Sequence, residues 1–446
     1  MEGGNPGRAL KRSVLSLLAS QAATSIGGAL TGVLAARLLG PGGRGLLAAV
    51  FTWPCLLLTV LSMGIPQAPA YFVASRPQRG RAIYATFLAL VALQTAVLYA
   101  AGIPLIGRVF TGTLGSAVLP AHWYLLAMPL AAMGGVYSGI LQGRLQVDRL
   151  NLLRLAPVGT YLIGLAALGL LGIRTVEAVT MLLILQLAVG AALGHFLAAG
   201  GLRGPLHLDS SLSREIFGYS MKTQLSHGAQ VANLRLDQLA MSMFIAPSEL
   251  GIYAVACAAP TLITLASSAL AIVVLPDIAR RSLPAQGATL IRYFRINLLV
   301  LCGLALAGMA FAPVVVPLLY GGSFCAAVLP AQILCAGAVF QGTNDVLGGG
   351  LRGMQRPGIV AASQGFSIVV TGVGLYALLP IYGASGAAIT SLLAYGATSV
   401  LLVGALLKGT GTPPQRLLPT TADLSTLAGV FRRQRHSPAS GEVECA

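Results

Sequence analysis

The sequence predicts an all-α polytopic membrane protein with twelve transmembrane helices in two pseudo-symmetric six-helix bundles. Three observations carry the prediction: an apolar composition, a row of hydrophobic runs with one-sided basic loops, and an internal repeat. Of the 446 residues, 56% are hydrophobic and 9% are charged, whereas a soluble domain carries about 25% charge. Mean hydropathy is +0.82. Such a chain lacks the polar surface to cover a water-soluble globule of this size. A cytosolic enzyme, a disordered scaffold and a small secreted module are excluded.

The runs cover 13–36, 45–70, 82–106, 119–141, 150–171, 176–199, 216–246, 250–275, 294–318, 325–348, 357–379 and 383–407. Each is long enough to cross the hydrocarbon as a helix, and helices satisfy their own backbone groups in lipid. The termini and alternate loops carry 22 of the 28 Lys and Arg residues. The opposite side carries four, Arg37, Arg44, Arg108 and Arg174, while Lys222 and Arg235 fall within a span. This asymmetry predicts an inner (cytoplasmic) membrane protein with both termini cytoplasmic. The net charge of +16 comes from these loop clusters, so it reads as topology and not as nucleic-acid binding. The first run follows Arg8, Lys11 and Arg12 like a signal peptide, but it is too long for one and reads as an uncleaved span.

Residues 1–12 form a cytoplasmic N-terminus, 13–200 the first bundle and 201–215 a cytoplasmic linker. Residues 216–407 form the second bundle and 408–446 a disordered basic tail. The division rests on recurring sequence. Ala-Val-Leu-Pro-Ala occurs at 117–121 and at 327–331, an offset of 210. Gly139-Ile-Leu-Gln-Gly143 matches Gly349-Gly-Leu-Arg-Gly353 at the same offset, and Pro41…Gly45 matches Pro247…Gly251 at 206. Six spans per half give both halves the same orientation, with the pseudo-axis along the membrane normal. Two parallel bundles around a central cleft are a transporter plan.

The seventh span is the polar outlier. Read as one helix, it places Lys222, Ser226, Gln230, Asn233 and Asp237 on one face, with His227, Arg235 and Gln238 on an adjoining arc. Central charges cost about 2.5–3.5 kcal/mol each against lipid, so this face is expected to line a wet cavity. Plainer readings exist: Lys222 can snorkel to the interface and His227 can be a packed, hydrogen-bonded side chain. The first span echoes the seventh with Gln21, Thr24, Ser25 and Thr31. Pro54, Pro129, Pro157 and Pro260 fall within spans as candidate kinks. Asn344-Asp345 is a second polar spot or a helix cap. The six cysteines form no CxxC pair and no metal set, and no hydrolase, nucleotide-loop or zinc signature is present. No cofactor is expected. The glycine-rich Leu39–Gly45 reads as a tight turn.

Ala36-Arg-Leu-Leu-Gly-Pro-Gly-Gly-Arg-Gly45 resembles the opening of polysaccharide-biosynthesis flippases of the multidrug/oligosaccharidyl-lipid/polysaccharide exporter superfamily. Arg235-Leu-Asp-Gln…Glu249-Leu-Gly-Ile-Tyr-Ala-Val-Ala256, Leu319-Tyr-Gly-Gly-Ser-Phe324 and Gly353-Met-Gln-Arg-Pro357 are similar to the same family. The resemblance implies flipping of an undecaprenyl-diphosphate-linked glycan from the inner to the outer leaflet by alternating access. It implies a cavity lined by spans 1, 2, 7 and 8, with cations at Arg37, Arg235 and Lys222. Asn233 and Asp237 complete the expected set, and Gln21, Arg44, His227 and Gln230 are secondary candidates. Expected partners are the lipid-linked glycan, membrane lipids and glycosyltransferases or a polymerase of the same pathway. An ion-coupled drug or metabolite exporter of the same fold and a membrane glycan polymerase or ligase are the alternatives.

Overall fold

The computed structural model describes residues 6–418 apart from 63, 64, 66, 67, 206 and 234. Thirteen α-helices and short 3₁₀ turns make up the described chain, with no strand among them. In the first half these are α1 (Pro6–Val60), α2 (Ala68–Ser75), α3 (Gly80–Val109), α4 (Val118–Gly143), α5 (Val147–Leu170) and α6 (Val176–Ala198). The second half holds α7 (Ser210–Asn233), α8 (Leu236–Phe244), α9 (Pro247–Ala256), α10 (Ala258–Ala279), α11 (Leu283–Tyr320), α12 (Val328–Gly353) and α13 (Pro357–Thr410).

Nine helical stretches among the described residues are long and apolar enough to cross a membrane. Two of them are double. At about 1.5 Å per residue a single helix the length of α1 or α13 would overshoot a bilayer more than twofold. Each is jointed at a glycine, Gly40 (φ +66°) and Gly383 (φ +52°), where the positive φ ends one helix and kinks the chain into the next. The polar α7 and short α8 complete a twelve-helix plan. At the second joint the Glu249 carboxylate accepts from the Ala384 amide at 3.1 Å, capping the helix that restarts there.

The repeat seen in the sequence is a repeat of backbone. The 3₁₀ turn Gly112–Ala117 leads into α4, and Gly322–Ala327 leads into α12, at the same offset of 210. Both helices end in the same corner. Leu145 N–H donates to Gln142 O and Gln146 N–H to Leu141 O, as Gln355 donates to Arg352 O and Arg356 to Leu351 O. This is a Schellman cap, whose turning residue is usually glycine. Here Leu145 (φ +55°) and Gln355 (φ +59°) hold it instead, and Leu145 is 84% exposed. A non-glycine residue in that region costs about 1–2 kcal/mol. Leu145→Gly and Gln355→Gly are therefore each expected to raise stability by roughly 0.5–1 kcal/mol once glycine's extra unfolded-chain entropy is counted. Thermal melting of the detergent-solubilised protein checks this.

One apolar cluster (Phe72, Phe87, Val136, Ile140) lies in the first half and takes in Leu212 and Ile216 of α7, and another (Val274, Leu290, Leu347, Leu402) lies within the second half. A third, with Leu47, Tyr124, Tyr253, Phe324 and Leu379, is shared by both. At its centre the segments matched at offset 206 meet reciprocally. A Cβ on Gly45 would strike the Pro247 carbonyl oxygen, and one on Gly251 would strike the Pro41 carbonyl oxygen. The two backbones touch because both positions lack a side chain.

Two sequence expectations need correction, and one kink is placed. The seventh span is not one helix: it breaks between Asn233 and Leu236, with Arg235 (φ −124°, ψ −8°) as the N-cap of α8. Pro260 falls, as expected, within an apolar stretch long enough to span, Pro247–Ala279, and sits three residues beyond the α9–α10 junction at Cys257. Proline cannot donate to the preceding turn, so the ladder is interrupted there. Asn344 and Asp345 lie well inside α12 and cap nothing. The first turns of α7 lie against the first half. Tyr219 stacks on Tyr71 with centroids 4.9 Å apart, Thr86 meets Ser213 at 3.2 Å, and Glu215 takes both Arg76 Nη atoms at 2.7 and 2.9 Å. Asp209 accepts from the Ser211 and Leu212 amides at 2.9 and 3.2 Å, capping α7. The Ser211 hydroxyl and these amides, with Arg79 beyond them, hold the Asp209 carboxyl below the usual carboxylate range.

Candidate functional site

A cavity of about 450 Å³ lies between the two halves. Ser25 and Thr31 of α1 line it before the Gly40 joint, and Arg44, Phe51 and Thr52 line it after the joint. Tyr161 of α5 joins them from the same half. From the second half come Arg235 and Gln238 at the start of α8, Thr261 of α10 and Tyr320 of α11.

Arg235 is held from two sides. Its Nη1 donates to Gln238 Oε1 at 3.1 Å, and its guanidinium carbon lies 5.7 Å from the centroid of Phe51, a cation–π distance. Gln238 Oε1 also accepts from Thr52 Oγ1 at 3.2 Å, so one amide oxygen joins the halves. Beside this tie Trp53 Nε1 donates to Ser242 Oγ at 2.9 Å. Arg44 is the second cation, and its buried Nε has no hydrogen-bond partner among the described residues.

No carboxylate lines the cavity among the described residues, and residues 222–234 contain no acid. Asp237 is 6% exposed and faces away. It accepts from the Tyr253 hydroxyl, from the Gln238 amide at 2.7 Å and from the Ser391 hydroxyl at 3.4 Å. This buried cluster ties α8 to α9 and α13. Two guanidinium groups thus line one cavity without a carboxylate in its lining among the described residues, and Asp237 acts on Arg235 only from behind the lining. Such groups bind phosphate oxygens with strong, directed hydrogen bonds.

Of the other expected residues, Arg37 lies outside the cavity lining. Its Nε and Nη2 donate to the carbonyls of Leu319 and Leu318 at 2.6 and 2.5 Å. The last turn of a helix leaves its carbonyls unpaired, and Arg37 caps α11 across the two halves. Gln21 is exposed on α1 and does not line the cavity. The side chains of Lys222, His227, Gln230 and Asn233 lie outside the described residues. Arg44, a secondary candidate from the sequence, lines the cavity, as do Phe51, Thr52 and Tyr161, which sequence reasoning did not single out. The signal for Arg44 was its place as one of only four basic residues on the arginine-poor side.

Two related helical halves flanking a cationic cavity are the fold seen in solved members of the multidrug/oligosaccharidyl-lipid/polysaccharide exporter superfamily. A family model described as polysaccharide biosynthesis protein matches residues 10–282. The chain belongs to that family. No curated protein matches it. Among solved structures it is similar to an inward-facing multidrug-resistance MATE family transporter of the superfamily, with TM-score 0.70 and 16% identity over 90% of this chain and 96% of that one. It is also similar to the lipid II flippase MurJ in an inward closed conformation, with TM-score 0.70 and 14% identity over 95% of this chain and 93% of that one. An outward-facing MATE family transporter aligns with TM-score 0.56 and 16% identity over 91% of this chain and 95% of that one.

Proposed function

We propose that the protein is a flippase, not an enzyme. It moves an undecaprenyl-diphosphate-linked glycan from the inner to the outer leaflet of the cytoplasmic membrane, with both termini cytoplasmic. The observation that carries this reading is the pair Arg44 and Arg235 in a cavity between the halves whose described lining holds no carboxylate. A glycan diphosphate head cannot cross hydrocarbon, because its hydroxyls and charges would lose their hydration. A polar cleft removes that cost while the polyprenyl tail stays in lipid. In this reading Arg235 and Arg44 hold the diphosphate, and Asp237 positions α8 so that Arg235 points inward. Arg37 holds the closed arrangement of the halves, and Lys222 and Asn233 are assigned to the cavity on their sequence positions alone. The membrane potential contributes about 2.3 kcal/mol per charge per 100 mV toward moving an anion outward. Family membership and the likeness to a lipid flippase support the proposal, and enzymes that build or consume the glycan are the expected partners.

Reconstitution into vesicles tests it. A fluorescent polyprenyl-diphosphate sugar should reach the opposite leaflet, read by quencher accessibility, with a rate proportional to protein. No movement of that lipid, combined with extrusion of a cationic dye such as ethidium, would replace the flippase by an exporter.

A further inference from the structure

A second cavity, of about 370 Å³, lies within the second half between α10, α12 and α13. Its lining includes Thr264 and Ser268 of α10 and Gln341, Asp345 and Arg352 of α12. Gln341, Asp345 and Arg352 are four and seven residues apart, on one face of their helix. None of the three makes a side-chain hydrogen bond to a described residue. The Arg352 guanidinium folds back over Gly348, within 4.0 Å of where a Cβ there would lie, and acts electrostatically on the Asp345 carboxylate. The wall behind them is fixed: Asn344 donates to Tyr395 O at 3.0 Å and accepts from Ser399 Oγ at 2.7 Å.

The two cavities are consecutive. Thr261 lines the central one, and Thr264, Ser268 and Ala271 line the second. These four form a single stripe down α10. One helical turn, about 5 Å, separates Thr261 from Thr264. The chemistry changes across that turn, from guanidinium groups without acid to a mixture of carboxylate, guanidinium, amide and hydroxyl. A sugar hydroxyl both donates and accepts, so a mixed set complements it. Asp345 opposes a phosphate, and the polar lining opposes an acyl chain. The volume falls within the range of about 300–1,000 Å³ for ligand pockets.

We propose that this cavity is a sugar subsite: it takes the diphosphate-proximal sugar of the glycan while Arg235 and Arg44 hold the diphosphate. It rests on the flippase reading and adds to it the place where the glycan is recognised. The full-length protein in detergent is titrated with decyl diphosphate, and with decyl diphosphate bearing one glucose, galactose, mannose or N-acetylglucosamine. At least one sugar is expected to tighten binding about tenfold or more. Asp345→Asn and Gln341→Ala should each erase that gain while leaving bare decyl diphosphate affinity within about twofold, which also certifies the fold. No gain from any of the four sugars, or a gain that survives both variants, overturns the subsite. So does an Asp345→Asn defect that follows sodium or pH and not the sugar, which would mark a cation site. Should bare decyl diphosphate fail to bind while a sugared form binds in an Asp345-dependent way, the subsite stands and the diphosphate assignment falls.

Discussion

Arg235→Ala is expected to weaken binding of a diphosphate lipid head roughly 10- to 100-fold, the worth of hydrogen bonds to a charged group. The guanidinium is already aimed by Gln238 and Phe51, so little side-chain entropy is lost on binding. Arg44→Ala should cost a comparable factor. Arg235→Lys keeps the charge but loses the planar fork and the ring stacking, so it should recover only part of the loss. Calorimetric titration with decyl diphosphate reads all three. Unchanged affinity in both alanine variants would remove the central cavity as the anion site.

The second large effect is mechanical. Gly251→Leu is expected to hold the halves apart on the arginine-poor side, because its side chain would occupy the space of the Pro41 carbonyl. Overpacking of this kind costs about 1–3 kcal/mol, enough to shift a two-state equilibrium about fivefold or more. Gly45→Leu meets Pro247 in the same way and should behave alike. Native Cys257 lines the central cavity and serves as the reporter. A membrane-impermeant maleimide applied to the arginine-poor side should label it at least about fivefold faster in either variant, read by peptide mass spectrometry. Transport should fall with it, because alternating access needs both ends to close. Labelling at the original rate in a folded variant would show that the glycine contact does not separate the cavity from that side.

Much of this architecture was legible because its causes are local. Hydrophobic run length predicts spans, and loop arginines order them. The repeated Ala-Val-Leu-Pro-Ala marks the 3₁₀ turn that opens α4 and α12. The site was less legible. Treating residues 216–246 as one helix put Asp237 on the cavity face, but the break before Leu236 changes the rotation of α8 relative to α7. Arg235 and Gln238 then face the cavity, while Asp237 faces Tyr253 and Ser391. No proline or glycine announces that break. Likewise, Arg37 and Arg44 flank one joint, and only the backbone at Gly40 decides which reaches the cavity. The stretch Glu249–Ala256, part of the family resemblance, proves to be architectural: Glu249 caps a helix, Gly251 allows a close approach and Tyr253 anchors Asp237.

The acid-free lining has one further consequence. Fixed positive charge in a confined space must be balanced by mobile ions whenever no cargo is seated. In the proposed cycle, loading is an exchange in which small anions leave as the diphosphate arrives, and unloading is the reverse. The release of those ions favours capture in dilute salt and eases discharge in concentrated salt. The electrolyte on each side of the membrane thereby becomes a participant in the cycle.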